Sequence, residues 1–209
     1  MKAVIFCNGI IEDYSFIDKN SFNDALIICA DGGLRHAYKL GVEIFAVIGD
    51  SDSRTDELPN GVEVIDCPTE KDYTDTKRCI DYAIKRGSTV IELYGALGGR
   101  RDQEFSHFAL MAYALKQGVE LRIIDKYNLI FMKDLPFSLE KCDFKYVSFF
   151  PFGGVVPDLT ITGLKYETDS VFLDFDSVLT VSNEFSNENT ASVKFSKGRL
   201  IVFFSDDKR

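Results

Sequence analysis

Two aspartates stand one residue apart, directly after an apolar stretch of the chain. Residues 46–53 read AVIGDSDS, and the apolar part predicts the end of a buried strand. Side chains at i and i+2 of an extended segment point to the same side, so Asp50 and Asp52 can face one point together. Like charges this close repel unless a cation lies between them, and Mg²⁺ accepts one or two carboxylates beside substrate phosphates. An isolated Asp-x-Asp is also typical of a polar loop in which each aspartate caps a turn.

A second group of candidate residues opens a predicted helix. Thr74 suits the N-cap position and Asp75 suits the positive end of the helix, so ordinary helix capping is one explanation for both. The functional alternative makes Asp75 a third metal carboxylate facing the Asp-x-Asp pair, with Lys71 or Thr74 touching phosphate. Helix N-termini favour anions, which is compatible with this second interpretation.

A third group is the glycine-rich segment 95–102, GALGGRRD, which follows the strongest predicted strand and leads into a helix. Gly98 and Gly99 let backbone N–H groups approach phosphate oxygens, and Arg100 or Arg101 can bind a phosphate through two hydrogen bonds. The segment has neither the P-loop pattern nor the dinucleotide pattern Gly-x-Gly-x-x-Gly. Because paired arginines stand beside the glycines, we interpret it as a phosphate-binding loop rather than a plain connection.

Apolar strands alternate with helices over the first 134 residues. The pattern predicts strands at 2–7, 25–30, 45–48, 62–65, 89–94, 121–124 and 129–132, and helices at 34–40, 74–86 and 103–116. This alternation predicts a parallel, Rossmann-like α/β sheet, whose ligands bind beyond the carboxyl ends of the strands. Polar residues follow four of these ends, at Asn8-Gly9, Asp31-Gly32-Gly33, 49–52 and 95–102.

After about residue 134 the pattern changes to short strands without a helical period. Strands are predicted at 147–150, 159–162, 171–175, 178–182, 191–195 and 200–203, with turn residues between them. We therefore expect a small all-β domain, a sandwich or roll, at 135–209 after an α/β domain at 1–134. Five phenylalanines that look exposed predict that it packs against a second copy: Phe149, Phe150, Phe152, Phe203 and Phe204.

Composition narrows the function classes. The chain has 209 residues and a net charge of −9, which argues against a general nucleic-acid binder. No apolar run is long enough to span a bilayer, and the first apolar run is short and ends at Asn8-Gly9, unlike a signal peptide. Five cysteines without a Cys-x-x-Cys pattern predict reduced thiols and a cytoplasmic location. With two histidines, a histidine-rich zinc site is not expected.

Six segments occur in an order that resembles the thiamine pyrophosphokinase family. They are 30–33 (ADGG), 49–53 (GDSDS), 71–75 (KDYTD), 98–102 (GGRRD), 162–166 (TGLKY) and 182–185 (SNEF). The resemblance covers nearly the whole chain, including the change from α/β to all-β. It implies a homodimer that uses Mg²⁺ to transfer a pyrophosphoryl group from ATP to the hydroxyl of thiamine, giving thiamine diphosphate and AMP.

The resemblance also implies roles for individual residues. The family's metal carboxylates match Asp50, Asp52 and Asp75, and its nucleotide lies near the segments that match Asp31, Thr74 and 100–102, which include Arg100 and Asp102. From their own positions in the sequence, Asn8, Gly32, Lys71, Gly98 and Gly99 are further candidate nucleotide contacts. Thiamine would lie between the α/β domain of one subunit and the β domain of the other, against Ser182 and Asn183. For Ser-Asn alone, a plain β-turn is the alternative.

The implied reaction agrees with the chemistry of the residues. Phosphoryl-type transfer needs in-line positioning and charge neutralisation more than covalent catalysis. Arg100 would take charge on the leaving or transferring oxygens, and Asp102 or Asp75 would accept the thiamine hydroxyl proton. Departures from the family pattern at Ser51, Gln103, His107 and Tyr166 concern substrate contact rather than the reaction.

One motif and two function classes compete with this interpretation. Residues 171–179, VFLDFDSVL, look like the nucleophile motif of haloacid-dehalogenase-type phosphatases, but they lie near the end of the chain within all-β sequence. We interpret Asp174 and Asp176 as the solvent face of an alternating strand. A different metal-dependent nucleotide transferase using Asp50 and Asp52, and a non-catalytic thiamine or nucleotide sensor, remain open alternatives.

Overall fold

The structure is a computed structural model that describes residues 1–50, 58, 61–66 and 73–207. The chain divides into two compact units, Met1–Lys126 and Tyr127–Arg209. The strands and α-helices of the first unit are β1 (Lys2–Phe6), β2 (Leu26–Ala30), α1 (Leu34–Leu40), β3 (Ala46–Gly49), β4 (Glu63–Asp66), α2 (Asp75–Lys85), β5 (Val90–Tyr94), α3 (Arg101–Lys116) and β6 (Glu120–Ile124). They confirm the predicted alternation of strands and helices. Two short 3-10 helices lie at Lys19–Phe22 and Asp31–Gly33.

The strands of the first unit form a parallel sheet in the order β4-β3-β2-β1-β5-β6. From β1 the chain adds β2, β3 and β4 outward on one side, and then returns to place β5 on the other side of β1. The strand order therefore reverses between β1 and β5. In open parallel sheets this reversal leaves a crevice beyond the carboxyl ends of the strands, where ligands bind.

The central strands and one face of each covering helix consist mainly of apolar side chains, which are buried between them. Every residue of β3 is buried, as expected for a strand with both faces covered. In α2, Cys79, Ile80 and Ala83 lie on one helix face and are buried, and α2 contacts β1, β2 and β3. Helix α1 ends at Gly41, whose φ of 64° is a left-handed conformation that glycine adopts at little cost.

The strands of the second unit pair antiparallel in two groups. Its elements are β7 (Asn128–Lys133), β8 (Phe137–Glu140), β9 (Tyr146–Pro151), β10 (Val156–Thr162), β11 (Thr168–Leu173), β12 (Thr190–Lys194) and β13 (Leu200–Ser205). β13 pairs with β7 and β9, and a four-stranded sheet has the order β11-β10-β12-β8. The described residues of this unit include no helix, which agrees with the predicted all-β sequence.

Two details of the predicted β pattern are wrong. The strand predicted at 178–182 is a series of turns and bends, because Thr180 Oγ1 is held by the Phe149 carbonyl at 2.5 Å and Ser182 adopts a φ of 56°. β11 ends at Leu173, so Asp174 and Asp176 follow the strand as exposed residues and do not lie on its solvent face. β8 was not predicted from the pattern.

The predicted exposure of the five phenylalanines is only partly correct. Phe149 and Phe204 are buried, because most residues of β9 and β13 are covered. Phe150, Phe152 and Phe203 are half-buried. None of the helices in the described part of the chain has the length and apolar character needed to cross a membrane.

Candidate active site

A cavity of about 420 Å³ lies beyond the carboxyl ends of β1, β2 and β5, at the reversal of strand order. The starts of α2 and α3 complete its wall. Predicted site residues that line it are Asn8, Asp31, Thr74, Asp75, Gly99 and Arg100. Gly32, Gly98, Asp50 and Asp102 are not among the lining residues, although Gly32 and Gly98 belong to the turns after β2 and β5 and Asp102 lies in the first turn of α3. Asp52, Lys71 and Ser51 lie outside the described residues.

The turns after β1 and β5 are joined by backbone hydrogen bonds. The Cys7 amide donates to the Tyr94 carbonyl at 2.8 Å, and the Gly9 amide donates to the Gly95 carbonyl at 2.9 Å. A Cβ at position 9 would collide with that Gly95 carbonyl, so only glycine permits this close approach. The two turns therefore form one continuous wall of the cavity.

Arg35, which sequence reasoning did not select, ties the turn after β1 to the turn after β2. Its guanidinium donates to the backbone carbonyls of Asn8 at 2.8 Å, Gly9 at 2.7 Å and Gly32 at 2.8 Å. It also donates to Asn8 Oδ1, which directs Asn8 Nδ2 to Asp31 Oδ2 at 3.4 Å. The rigid fork of arginine suits this bridging of several oxygens.

The next residue, His36, supports the same turn from inside the protein. Its Nε2–H donates to the Gly9 carbonyl at 2.9 Å, and the Tyr14 hydroxyl donates to its Nδ1 at 2.5 Å. Burial lowers the pKa of His36 to about 4, so the neutral ring with this arrangement of donors is the form present at neutral pH. His36 is therefore part of the framework and not a ligand of the cavity.

Asp31 has the geometry of a functional carboxylate. Its φ of 49° is left-handed, a conformation rarely adopted outside glycine. Its Oδ1 is buried and has no hydrogen-bond partner among the described residues. Gly49 packs against Asp31, since a Cβ added at Gly49 would lie 3.0 Å from the Asp31 Cα, and Asp50 follows at once. A buried carboxylate oxygen without a donor is costly, so a cation or a ligand donor fits this position.

The predicted metal carboxylates are described in part. Asp75 begins α2 and lines the cavity, and Thr74 Oγ1 accepts from the Lys77 amide at 3.3 Å, which confirms Thr74 as the N-cap. Asp50 is half-buried at the carboxyl end of β3. Within the described ranges, no group of three or more His, Cys, Asp or Glu side chains is placed to hold a metal ion.

The glycine-rich segment after β5 uses its backbone donors internally. The amides of Gly98 and Gly99 donate to one oxygen of Glu104 at 2.8 and 3.0 Å. Arg100 pairs with Asp102 through contacts of 3.1 and 2.5 Å, and both side chains are largely exposed. The hydrogen bond from Arg100 lowers the pKa of Asp102, which therefore stays ionised at neutral pH.

His107 supports this segment from α3. Its Nδ1–H donates to the Ala96 carbonyl at 2.8 Å, and burial lowers its pKa, so the ring is neutral at neutral pH. His107 and Gln103, two of the departures from the family pattern, both line the cavity. Both residues are therefore in position to contact a ligand of the cavity.

In the second unit, Ser182 and Asn183 have different environments. Asn183 is 3% exposed, and its Oδ1 accepts from the amides of Tyr166 at 3.0 Å and Glu184 at 2.9 Å. Its Nδ2 donates to the Tyr166 carbonyl at 2.7 Å, so the amide group is used by the backbone. The Ser182 amide donates to Ser148 Oγ at 2.9 Å, while its side chain lines a second cavity of about 380 Å³.

The fold and the first cavity define a class: α/β proteins with a cavity at the reversal of a parallel sheet, where such sheets bind ligands. The family model "Thiamin pyrophosphokinase, catalytic domain" matches residues 18–123. The model "Thiamin pyrophosphokinase, vitamin B1 binding domain" matches residues 137–200. The chain belongs to the thiamin pyrophosphokinase family, as the sequence motifs predicted.

Individual relatives agree with this assignment. The chain is 32% identical over 190 residues to thiamine pyrophosphokinase of Bacillus subtilis (strain 168), covering 87% of this chain and 88% of the relative. The crystal structure of the B. subtilis thiamine pyrophosphokinase matches with a TM-score of 0.89 at 28% identity over the full length of both chains. Thiamin pyrophosphokinase from Geobacillus thermodenitrificans matches with a TM-score of 0.85 at 26% identity, covering 100% of this chain and 99% of that one.

Proposed function

We propose that this protein is an ATP-dependent thiamine diphosphokinase that converts thiamine and ATP into thiamine diphosphate and AMP. The observation that carries the proposal is the match of both halves of the chain to the catalytic and vitamin B1-binding models of one family. The cavity beyond β1, β2 and β5 supports it, because acidic residues and an arginine meet at the place where parallel sheets bind nucleotides.

The nucleotide is proposed to bind in this cavity. Its contacts would be Asn8, Asp31, Gly32, Lys71, Thr74, Arg100 and Asp102. Gly98 and Gly99 would shape the loop that carries Arg100, because their amides donate to Glu104. Asp50, Asp52 and Asp75 would hold Mg²⁺, which fits the oxygen-rich end of the cavity, where Asp31 Oδ1 is buried without a partner among the described residues. When bound, the ion supplies neutralisation of phosphate charge.

The transfer would proceed by attack of the thiamine hydroxyl oxygen on the β-phosphorus of ATP. A new oxygen–phosphorus bond forms, the bond to the bridging oxygen breaks, and AMP leaves with the electron pair. Arg100 would stabilise charge on the oxygens of the transferring group, with Asp102 orienting its guanidinium. Asp75 or Asp102 would accept the hydroxyl proton.

Thiamine is proposed to use the cavity of the second unit, lined by the Ser182 side chain. Tyr146, Phe150, Asp206 and Asp207 line the same cavity. Aromatic faces and carboxylates both attract a cation, and thiamine carries a positive charge. The Ser182 hydroxyl would then hydrogen-bond the aminopyrimidine edge.

The remaining expectations concern organisation. We propose a nucleotide- and metal-binding domain at 1–134 with a Rossmann-like arrangement, and a thiamine-binding domain at 135–209 in which the two antiparallel sheets form a sandwich. We also propose a cytoplasmic homodimer whose sites combine the first domain of one subunit with the second domain of its partner. Sedimentation of the purified protein tests the dimer directly.

The decisive experiment incubates the protein with ATP and thiamine, with and without Mg²⁺, and quantifies the products. We expect thiamine diphosphate and AMP in equal amounts, only with the metal present. Formation of ADP would indicate transfer of a single phosphoryl group. Binding of both substrates without turnover would favour a sensor, and turnover that ignores thiamine would favour a different nucleotide transferase.

A further inference from the structure

The carboxylate of Glu104 binds the backbone amides of Gly98 and Gly99, which the sequence analysis predicted to contact phosphate. One carboxylate oxygen, Oε1, accepts from the Gly98 amide at 2.8 Å and from the Gly99 amide at 3.0 Å. The other oxygen, Oε2, accepts from Arg101 at 2.6 Å. A carboxylate that accepts three donors in this way imitates a bound anion.

The surroundings of Glu104 distinguish it from its charged neighbours. Its side chain is 13% exposed, whereas those of Arg100 and Asp102 are 74% and 63% exposed. Burial alone would raise the pKa of the Glu104 carboxyl, but the hydrogen bonds from Arg101 and from the two amides lower it overall. Glu104 is therefore a half-buried carboxylate that stays ionised at neutral pH and holds this segment through its hydrogen bonds.

We infer that Glu104 is a positioning residue of the nucleotide site: its carboxylate permanently fills the space between the Gly98 and Gly99 amides and fixes the segment that carries Arg100. ATP phosphates then contact Arg100 and not these amides. The inference rests on the proposed function, because it takes the first cavity as the ATP site.

The alternative is that phosphate displaces Glu104 from the amides when ATP binds. Displacement would break three hydrogen bonds to an ionised group, which are the strong kind. It would also leave the carboxylate beside a phosphate of the same charge, because Glu104 and Gly99 line the same cavity. Both costs favour a carboxylate that stays in place.

Two variants separate hydrogen bonding from charge. Glu104→Gln keeps an oxygen that can accept from both amides but removes the charge, whereas Glu104→Asp keeps the charge on a chain one methylene shorter, which withdraws the oxygen from the amides. We expect Glu104→Asp to raise the KM for ATP and the Kd of an ATP analogue, measured calorimetrically with Mg²⁺, by at least about tenfold, with an unchanged KM for thiamine. Glu104→Gln should raise both by at most about threefold.

Glu43→Gln is the matched control, because Glu43 is an exposed glutamate away from the cavity, and it should match the wild type in every measurement. A lower KM or Kd for the nucleotide in either Glu104 variant would overturn the inference, since it would show that the carboxylate competes with phosphate. Equal values for the wild type and Glu104→Asp would overturn it as well. If Glu104→Asp does not fold by circular dichroism, Glu104→Gln decides alone. Values of KM and Kd between those of the wild type and about three times those values support the inference, and lower or higher values overturn it.

The proposed function and this inference fail differently. A wild-type protein that binds the ATP analogue but makes no thiamine diphosphate would refute the proposed reaction, and the calorimetric comparison of the variants would still test Glu104. Normal turnover by the wild type together with unaltered variants would refute only the role of Glu104.

Discussion

Polar side chains have different roles around the cavity of the first unit and in the Ser182–Asn183 turn of the second unit. Around the first cavity, Arg35 and His36 donate hydrogen bonds to backbone carbonyls. Asp31 lines the cavity, and its buried Oδ1 has no hydrogen-bond partner among the described residues. In the second unit, the two residues that were selected from the sequence, Ser182 and Asn183, have different roles. Asn183 supports the backbone, and only the Ser182 side chain lines a cavity.

This contrast shows that residue type alone does not distinguish a residue that binds substrate from one that supports the backbone. Asn183 and Asp31 both end in groups that suit a substrate, but three backbone hydrogen bonds use the Asn183 amide. The Asp31 carboxylate, by contrast, keeps a buried oxygen whose partner must come from outside the described residues or from a ligand. Burial combined with the state of each hydrogen-bonding group makes the distinction.

The largest expected effect tests whether the residues facing the first cavity carry the chemistry. Asp75→Asn keeps size and helix capping but removes the charge, so we expect kcat to fall by at least about 100-fold while the melting temperature stays within a few degrees. Steady-state kinetics and thermal melting measure both. Asp174→Asn, in an exposed turn, is the control. A rate within about threefold of the wild type would remove Asp75 from the site.

The next effect tests whether Asn183 is a framework residue. Asn183→Ala removes three hydrogen bonds at a site that is 3% exposed and leaves backbone groups without partners, so we expect the free energy of unfolding in urea to fall by about 2–3 kcal/mol. Asn187→Ala, at an exposed position, should change it by less than about 0.5 kcal/mol. Unchanged stability with a raised KM for thiamine would instead make Asn183 a substrate ligand.

The strand-end residues of the site could be predicted because their positions follow from local patterns. Asp50, Asp75 and Arg100 come directly after a strand or at the start of a helix, and the continuous apolar runs of β1, β2, β3 and β5 identify those strands. Residues 178–182, VLTVS, are also mostly apolar, and a strand was wrongly predicted there. There the side-chain bond of Thr180 to the Phe149 carbonyl decided the local structure.

The framework residues could not be predicted, because their partners are remote in sequence or belong to the backbone. Arg35 acts on Asn8 and Gly9, which lie 27 and 26 positions earlier, and no local spacing reports such contacts. Glu104 looks like an ordinary acidic residue in the first turn of a helix. Only the folded arrangement shows that it binds the amides of Gly98 and Gly99.

A smaller effect is the dependence of stability on pH. Both histidines of the chain, His36 and His107, lie in the first unit, so histidine titration affects that unit alone. The pKa of His36 in the folded protein, about 4, lies below its ordinary value of 6.5, so the unfolded chain binds a proton first as pH falls. Its contribution to stability is therefore lost between pH 6.5 and about 4, by roughly 1 kcal/mol per pH unit, and is constant below that range.

Urea unfolding of the wild type and His36→Gln at several pH values between 4 and 7 measures this contribution. We expect the stability of the wild type to fall more steeply on acidification than that of His36→Gln, because the carboxylates titrate in both and cancel in the difference. Parallel curves would show that the ring is protonated in the folded state and that the turn after β1 does not depend on a neutral imidazole.

The smallest effect concerns Ser182, the neighbour of Asn183 in the second unit, and tests whether its hydroxyl contacts thiamine. Ser182 has a φ of 56°, so Ser182→Gly removes the hydroxyl without strain and keeps the amide that donates to Ser148 Oγ. We expect the KM for thiamine to rise by about three- to tenfold, with the KM for ATP and the free energy of unfolding nearly unchanged, because one hydrogen bond to the substrate is lost. Ser182→Ala keeps the Cβ that serine already has at this positive φ, so it should show the same KM change with the stability of the wild type. An altered KM for ATP with a normal KM for thiamine would place the two substrates in the opposite regions.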